Sequence, residues 1–255
     1  MNQSSLYANA QVVNDPTTCQ FYHRMTIPGH GEVGNQWDLQ EAIGPYLGDF
    51  DFKDLRVLDV GAAAGYLTFE IERRGAKEVV SFDMADGSQW DVVPQSAIRK
   101  DPAAYREANQ RDHQRLKNAY WFAHARLESK AKVLYGNIYD IPDAAGPFDV
   151  AVMGMIVGHL RDPLHAMANV AKLCRSHLII ANQYLVSDAP RAFLIPSKEN
   201  KEWNCWWALS SNVLEQMLGI LGFEVERIVR SRPRCIVNGR DGYEDCMTLV
   251  ARRVD

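Results

Sequence analysis

The residues in this 255-residue chain best placed to do chemistry lie in Arg56–Phe69. An apolar run, Arg56-Val57-Leu58-Asp59-Val60, meets a turn of very small residues, Gly61-Ala62-Ala63-Ala64-Gly65, and a helix pattern follows at once. Gly61 and Gly65 carry no Cβ and the alanines carry little more, so backbone here can lie directly against a ligand. A second apolar run, Glu78-Val79-Val80-Ser81-Phe82-Asp83, ends on a carboxylate 22 residues after Gly61. That is about the spacing at which a nucleotide-binding α/β unit presents an acid to a ribose. Neither G-x-G-x-x-G nor G-x-x-x-x-G-K-[ST] is present, and no Lys or Arg stands between Gly61 and Phe69 to meet a phosphate. The ligand therefore need not be a dinucleotide.

Asp59, Gly61 and Gly65 resemble motif I of the class I S-adenosylmethionine (SAM) methyltransferases, D/E-x-G-x-G-x-G, with Ala63 in place of the middle glycine. The resemblance implies SAM as methyl donor and S-adenosylhomocysteine as product. It assigns Asp59, Gly61, Ala62, Ala63 and Gly65 to the methionine part and Asp83 to the ribose, with Met84 against the adenine. Asn137 and Ile138, after the third strand, match the places that contact the adenine amine and cover the ring. Met153 and Gly154, ending the fourth strand, are expected near the sulfonium. Gly158-His159-Leu160-Arg161-Asp162-Pro163 is similar to the L-x-H-[LR]-x-[DS]-P loop of many small-molecule and tRNA methyltransferases, which makes His159 the candidate catalytic base. Trp37, Tyr184, Trp203, Trp206 and Trp207 are the candidate acceptor contacts, since aromatic walls exclude water and tolerate a sulfonium.

The elements that must position these residues follow from the hydrophobic pattern. Strands are expected at Arg56–Val60, Glu78–Asp83, Lys132–Tyr135, Phe148–Met153, His177–Ala181, Phe223–Arg230 and Met247–Ala251. Helices are expected after Gly65, over Ala103–Ser129, over Pro163–Leu173, and from Ser211 to near Gly222. The alternation predicts an α/β fold with a doubly wound, Rossmann-like, mostly parallel seven-stranded sheet and an antiparallel last strand. Residues 51–255 form the expected methyltransferase domain. Residues 1–50, with a Gly-rich loop at Ile27–Gly34 and a short helix expected over Asp38–Leu47, form an expected N-terminal cap or lid segment.

Composition narrows the partners. A net charge of −4 argues against a protein built mainly to grip nucleic acid. Five scattered cysteines with no C-x-x-C pair suggest neither a metal site nor a disulfide frame, and a cytoplasmic setting. No apolar run is long enough to span a membrane. Phe148–His159, Arg161–Leu164 and the helix ending in Gly222-Phe223 are similar to the methyltransferase half of the tRNA wobble-uridine carboxymethyltransferase family and its small-molecule relatives. In those tRNA enzymes a tyrosine before the loop histidine helps bind a carboxylated SAM; here that place is Gly158. The expected function is methyl transfer to an oxygen or nitrogen of a small molecule, such as a specialised metabolite. The alternatives are tRNA modification, suggested by Arg227, Arg230, Arg232 and Arg234, and a non-catalytic SAM-binding protein.

Overall fold

The structure, a computed structural model, describes residues 6–187, 189–237 and 240–255. The N-terminal segment holds a hairpin of β1 (Met25–Ile27) and β2 (Gly31–Val33), a short β3 (Trp37–Asp38) and one turn of helix, α1 (Ile43–Tyr46). Then come β4 (Arg56–Val60), α2 (Tyr66–Arg73), β5 (Glu78–Asp83), α3 (Ser96–Lys100), α4 (Pro102–Arg126) and β6 (Lys132–Tyr135). The chain continues through β7 (Phe148–Gly154), α5 (Pro163–Ala171), β8 (Cys174–Gln183), β9 (Ala192–Leu194), β10 (Trp207–Leu209) and α6 (Ser211–Ile220). It closes with β11 (Phe223–Ser231), β12 (Arg234–Val237), β13 (Arg240–Tyr243) and β14 (Cys246–Arg253).

One seven-stranded sheet runs β11-β14-β8-β7-β4-β5-β6. The β4, β5, β6, β7 and β8 pairs are parallel, and β14 is inserted antiparallel between β8 and β11. This is the doubly wound sheet with a reversed last strand that the sequence pattern predicts. Both faces are covered, so the central strands are apolar on both sides. One face packs Met153, Met167, Leu178, Leu214 and Leu249, and the other packs Phe52, Val57, Ile71, Phe122 and Ile179.

The amino ends of the strands are clamped by Arg56. Its guanidinium bonds Glu78 at 2.5 Å and the Pro147 carbonyl at 2.7 Å, and lies 4.2 Å from the Phe148 ring centroid. Inside the sheet a polar chain is buried. Thr68 Oγ1 donates to Asp59 Oδ2 at 2.5 Å, Ser81 Oγ sits 2.8 Å from Thr68 Oγ1, and the Tyr120 hydroxyl is 2.7 Å from Ser81 Oγ. This chain fixes α2 and α4 on the strands whose carboxyl ends carry the site.

One local expectation fails. The Asp38–Leu47 helix shrinks to α1, because Trp37 and Asp38 pair with Cys235 and Arg234 in a separate three-stranded sheet, β13-β12-β3. Asp38 also accepts from Arg24 at 3.2 Å, which holds it extended. Among the described residues no helix is long and apolar enough to cross a membrane.

Candidate active site

The carboxyl ends of β4, β5, β6 and β7 open into a two-lobed cavity. A smaller lobe of about 90 Å³ is lined by Phe82, Met84, Asn137, Ile138, Tyr139 and Leu160 among others. A larger lobe of about 340 Å³ reaches the N-terminal segment, α4 and the loop before β10. Gly61, Asp83, Met84, Trp90, Ile156 and His159 border both.

The turn after β4 is built for close approach. Gly61 has φ +78°, and a Cβ there would stand 2.6 Å from Ile156 Cδ1. Gly65 has φ +88° at the start of α2, where a Cβ would meet the Phe69 ring at 2.6 Å. Ala63 itself takes φ +48°, a left-handed conformation that glycine adopts without strain. Its N–H donates to Asp83 Oδ2 at 2.7 Å, while Asp83 Oδ1 accepts from the Met84 N–H at 2.7 Å. Each carboxylate oxygen keeps a second acceptor site, enough for a pair of ribose hydroxyls. Burial raises the Asp83 pKa.

Met84, Asn137 and Ile138 all line the smaller lobe, a largely apolar surface with one amide, of a chemistry that suits an adenine. Gly154 leaves room beside Leu67 and the Tyr46 hydroxyl, and any Cβ there would strike Leu67. These residues fit an adenosine carrying an amino-acid arm, with no basic residue needed at the glycine turn.

His159 sits on the seam of the two lobes. Its Nδ1 is 2.7 Å from the Asn204 carbonyl. A carbonyl only accepts, so Nδ1 carries the proton and Nε2 is left as the acceptor. The Asn204 carbonyl is itself held by a compact loop: Glu202 Oε1 accepts the N–H groups of Trp203, Asn204 and Cys205 at 2.8, 2.9 and 3.1 Å. The Trp206 N–H donates to the Gly158 carbonyl at 2.8 Å and stitches this loop to the histidine turn.

Not every residue expected at the site reaches the cavity. Asp59 is fully buried beneath the glycine turn, with Oδ1 unpartnered and its pKa pushed up to about 7 by burial. Met153 is fully buried in the core, because alternate side chains of β7 face opposite sides of the sheet. Tyr184 packs against the core with its hydroxyl taken by Arg230. Trp206 Nε1 donates to the Asp91 carbonyl at 2.6 Å, and Trp207 Nε1 to the Arg161 carbonyl at 3.1 Å, so these two seat the loop. Trp37 and Trp203 do line the larger lobe.

Residues the sequence reading left out of the site also line it. From the N-terminal segment come Gln20, Tyr22, His23, Gln36 and Tyr46. Helix α4, expected only as a polar crossover, brings His113 and Lys117 beside Asp83. His113 is buried with Nε2 unpartnered, and burial lowers its pKa while the Asp83 charge opposes that shift. Lys117 Nζ donates to the Ala85 carbonyl at 3.1 Å and lies 3.8 Å from the Tyr135 ring centroid. Their spacing of four residues on a helix is the one signal the sequence offers for them.

A seven-stranded sheet in this order, with a glycine turn after its central strand and a carboxylate after the next, defines a class I SAM-dependent methyltransferase. The chain belongs to the Methyltransferase domain family, which matches residues 37–228.

Solved structures agree on the fold. Magnesium protoporphyrin IX methyltransferase from Synechocystis PCC 6803, solved with S-adenosylhomocysteine, is 13% identical, with 84% of this chain and 81% of that one covered at TM-score 0.53. The 1,6-didemethyltoxoflavin-N1-methyltransferase of Burkholderia thailandensis, solved with 1,6-didemethyltoxoflavin and S-adenosylhomocysteine, is 14% identical, covering 84% and 76% at TM-score 0.51. A SAM-dependent methyltransferase from Aquifex aeolicus is 18% identical, covering 86% and 91% at TM-score 0.51. No curated protein matches the chain.

Proposed function

We propose that the protein methylates an oxygen or nitrogen of a small molecule, with His159 as the base that receives the acceptor's proton. The observation that carries this reading is the fixed tautomer of His159, whose Nε2 is free to accept on the wall shared by the two lobes. SAM, when bound, supplies an electrophilic methyl group on a sulfonium sulfur. The protein's task is then to align the acceptor, exclude water and take up a proton. The glycine turn, Asp83, Met84, Asn137 and Ile138 form the SAM cradle in this reading. Trp37 and Trp203 form walls of the acceptor lobe.

The N-terminal segment, residues 1–50, serves as the cap of this lobe, and residues 51–255 form the catalytic domain. Tyr22, His23, Gln36 and Trp37 on the cavity wall support that division of labour. All five cysteines are unpaired, which suits a cytoplasmic enzyme.

Two observations favour a small acceptor and plain SAM over tRNA modification. The four C-terminal arginines already have partners within the fold: the Gly48 carbonyl for Arg227, Tyr184 for Arg230, Asp245 for Arg232 and Asp241 for Arg234. Phosphates would have to compete with each of these. At Gly158, a Cβ would stand 2.8 Å from the Trp207 carbonyl, so a tyrosine has no room there.

The test is methyl transfer from labelled SAM to a panel of small phenols and amines, then to bulk tRNA. The reading predicts labelling of a small molecule, lost in His159→Gln while S-adenosylhomocysteine binding persists. Labelling of tRNA alone, with steep salt dependence, would overturn it. Binding without turnover on any acceptor would leave a non-catalytic SAM-binding protein.

A further inference from the structure

Three loops contribute walls to the smaller lobe. Trp90 and Asp91 come from the loop after β5, Ile138 and Tyr139 from the loop after β6, and His159 and Leu160 from the loop after β7. Loops share no ladder of backbone hydrogen bonds, so side-chain links decide how firmly three of them enclose a cavity.

One carboxylate meets all three. Asp91 Oδ2 accepts from the Tyr139 hydroxyl, on the loop after β6, and from the Arg161 N–H, on the loop after β7, the latter at 2.8 Å. The Tyr139 hydroxyl in turn accepts the Asp162 N–H at 3.1 Å, which closes a ring of bonds between the loops. The Asp91 side chain is only 11% exposed, so these bonds are shielded from water. The Arg161 guanidinium stands 3.8 Å from Oδ1 but is 68% exposed, and a pair of that kind contributes little. The hydroxyl and the backbone N–H therefore carry the link.

The main chain of Asp91 is held separately. Trp206 Nε1 donates to the Asp91 carbonyl at 2.6 Å, and the Val93 N–H donates to the Trp203 carbonyl at 2.8 Å. Both bonds tie the loop after β5 to the segment before β10 and do not use the carboxylate. Removing the carboxylate thus frees the Tyr139 and Arg161 loops while the loop that carries residue 91 keeps its anchor.

We propose that Asp91 is a positioning residue that clasps the three loops around the smaller lobe and so slows escape of the adenine end of the cofactor. This deepens the reading of the smaller lobe as the adenine site and rests on it. Asp91 acts through Tyr139 and the Arg161 N–H, because both bonds fall on Oδ2 and tie two loops to one point.

Calorimetric affinity for S-adenosylhomocysteine, and the rate at which unlabelled ligand displaces the labelled form, test the proposal in wild type, Asp91→Ala, Tyr139→Phe and the double variant. Together the two measurements give the association rate. Asp91→Ala is expected to weaken binding about tenfold through faster dissociation, with the association rate within about twofold of wild type. Tyr139→Phe is expected to weaken binding about fivefold in the same way, and the double variant to match Asp91→Ala within about twofold, because both changes cut one link. Wild-type affinity in Asp91→Ala would overturn the proposal. So would a loss arising from slower association, which marks a misshapen lobe, or losses that multiply in the double variant, which mark two independent contacts. If Asp91→Ala does not fold, Tyr139→Phe decides alone: faster dissociation supports the clasp and an unchanged rate overturns it. Failure of S-adenosylhomocysteine to bind wild type is a separate outcome, which removes the cofactor reading and this inference together.

Discussion

The Asp83 carboxylate accepts a hydrogen bond from the Ala63 N–H at 2.7 Å, so the group at the end of β5 holds the shape of the glycine turn after β4. One carboxylate thus fixes the turn and, in the proposed cradle, receives the ribose. Asp83→Ala is predicted to weaken S-adenosylhomocysteine at least tenfold, about 1.4 kcal/mol, with the far-ultraviolet circular dichroism unchanged. An unchanged affinity by calorimetry would remove Asp83 from the cradle.

Ala63 stands in the left-handed region at φ +48°. That conformation costs an alanine about 1–2 kcal/mol, and glycine gives back about 0.4–1 kcal/mol through its freer unfolded chain. Ala63→Gly is therefore predicted to hold or raise stability, within about 1 kcal/mol, and to keep cofactor affinity. A β-branched Ala63→Val is predicted to lose about 2 kcal/mol or more. Urea denaturation with matched m-values distinguishes the two.

What the sequence made legible was local. The turn Gly61–Gly65 and the spacing to Asp83 depend on one βαβ unit, and the apolar runs of β4, β5 and β7 declare themselves without distant partners. Asp38 was misread as a helix start because its strand partner, Arg234, lies far along the chain. Tyr184, Trp206 and Trp207 lie in the expected neighbourhood, but sequence does not say which way a side chain faces. Tyr184 turned to Arg230, and both indoles bonded to loop carbonyls. His23 and His113 were hidden for a related reason: a cap and a long helix fold back over the sheet from outside the motif.

His159 depends on a loop organised by Glu202. His159→Gln is predicted to lower kcat by about 10²–10⁴-fold without changing S-adenosylhomocysteine affinity. Glu202→Ala, which frees three backbone N–H groups, is predicted to lower kcat by a smaller factor, because the Asn204 carbonyl loses its fixed position. Steady-state kinetics on an identified acceptor checks the order. A Glu202→Ala enzyme with wild-type kcat would show that the loop holds His159 by other means.

Two buried groups give stability opposing pH dependences. Asp59 titrates near 7 in the fold against about 4 unfolded, so the native state holds a proton that the unfolded chain loses. Its contribution to stability is full below pH 4 and falls as pH rises to about 7. His23 titrates near 4 in the fold against about 6.5 unfolded. Its contribution is full above pH 6.5 and is lost as pH falls towards 4. Asp59→Asn is predicted to gain stability relative to wild type on going from pH 5 to pH 8, and His23→Gln to gain relative stability from pH 7 to pH 4.5. Chemical denaturation across this range reads both, and parallel curves for variant and wild type would contradict the assignment.

In the proposed reading Gly61–Gly65, Asp83, Met84, Asn137 and Ile138 form a SAM cradle. Isothermal titration of the purified protein with SAM, and separately with S-adenosylhomocysteine, tests it most directly. The account predicts saturable one-to-one binding of both at micromolar concentration. Binding of neither ligand would contradict it.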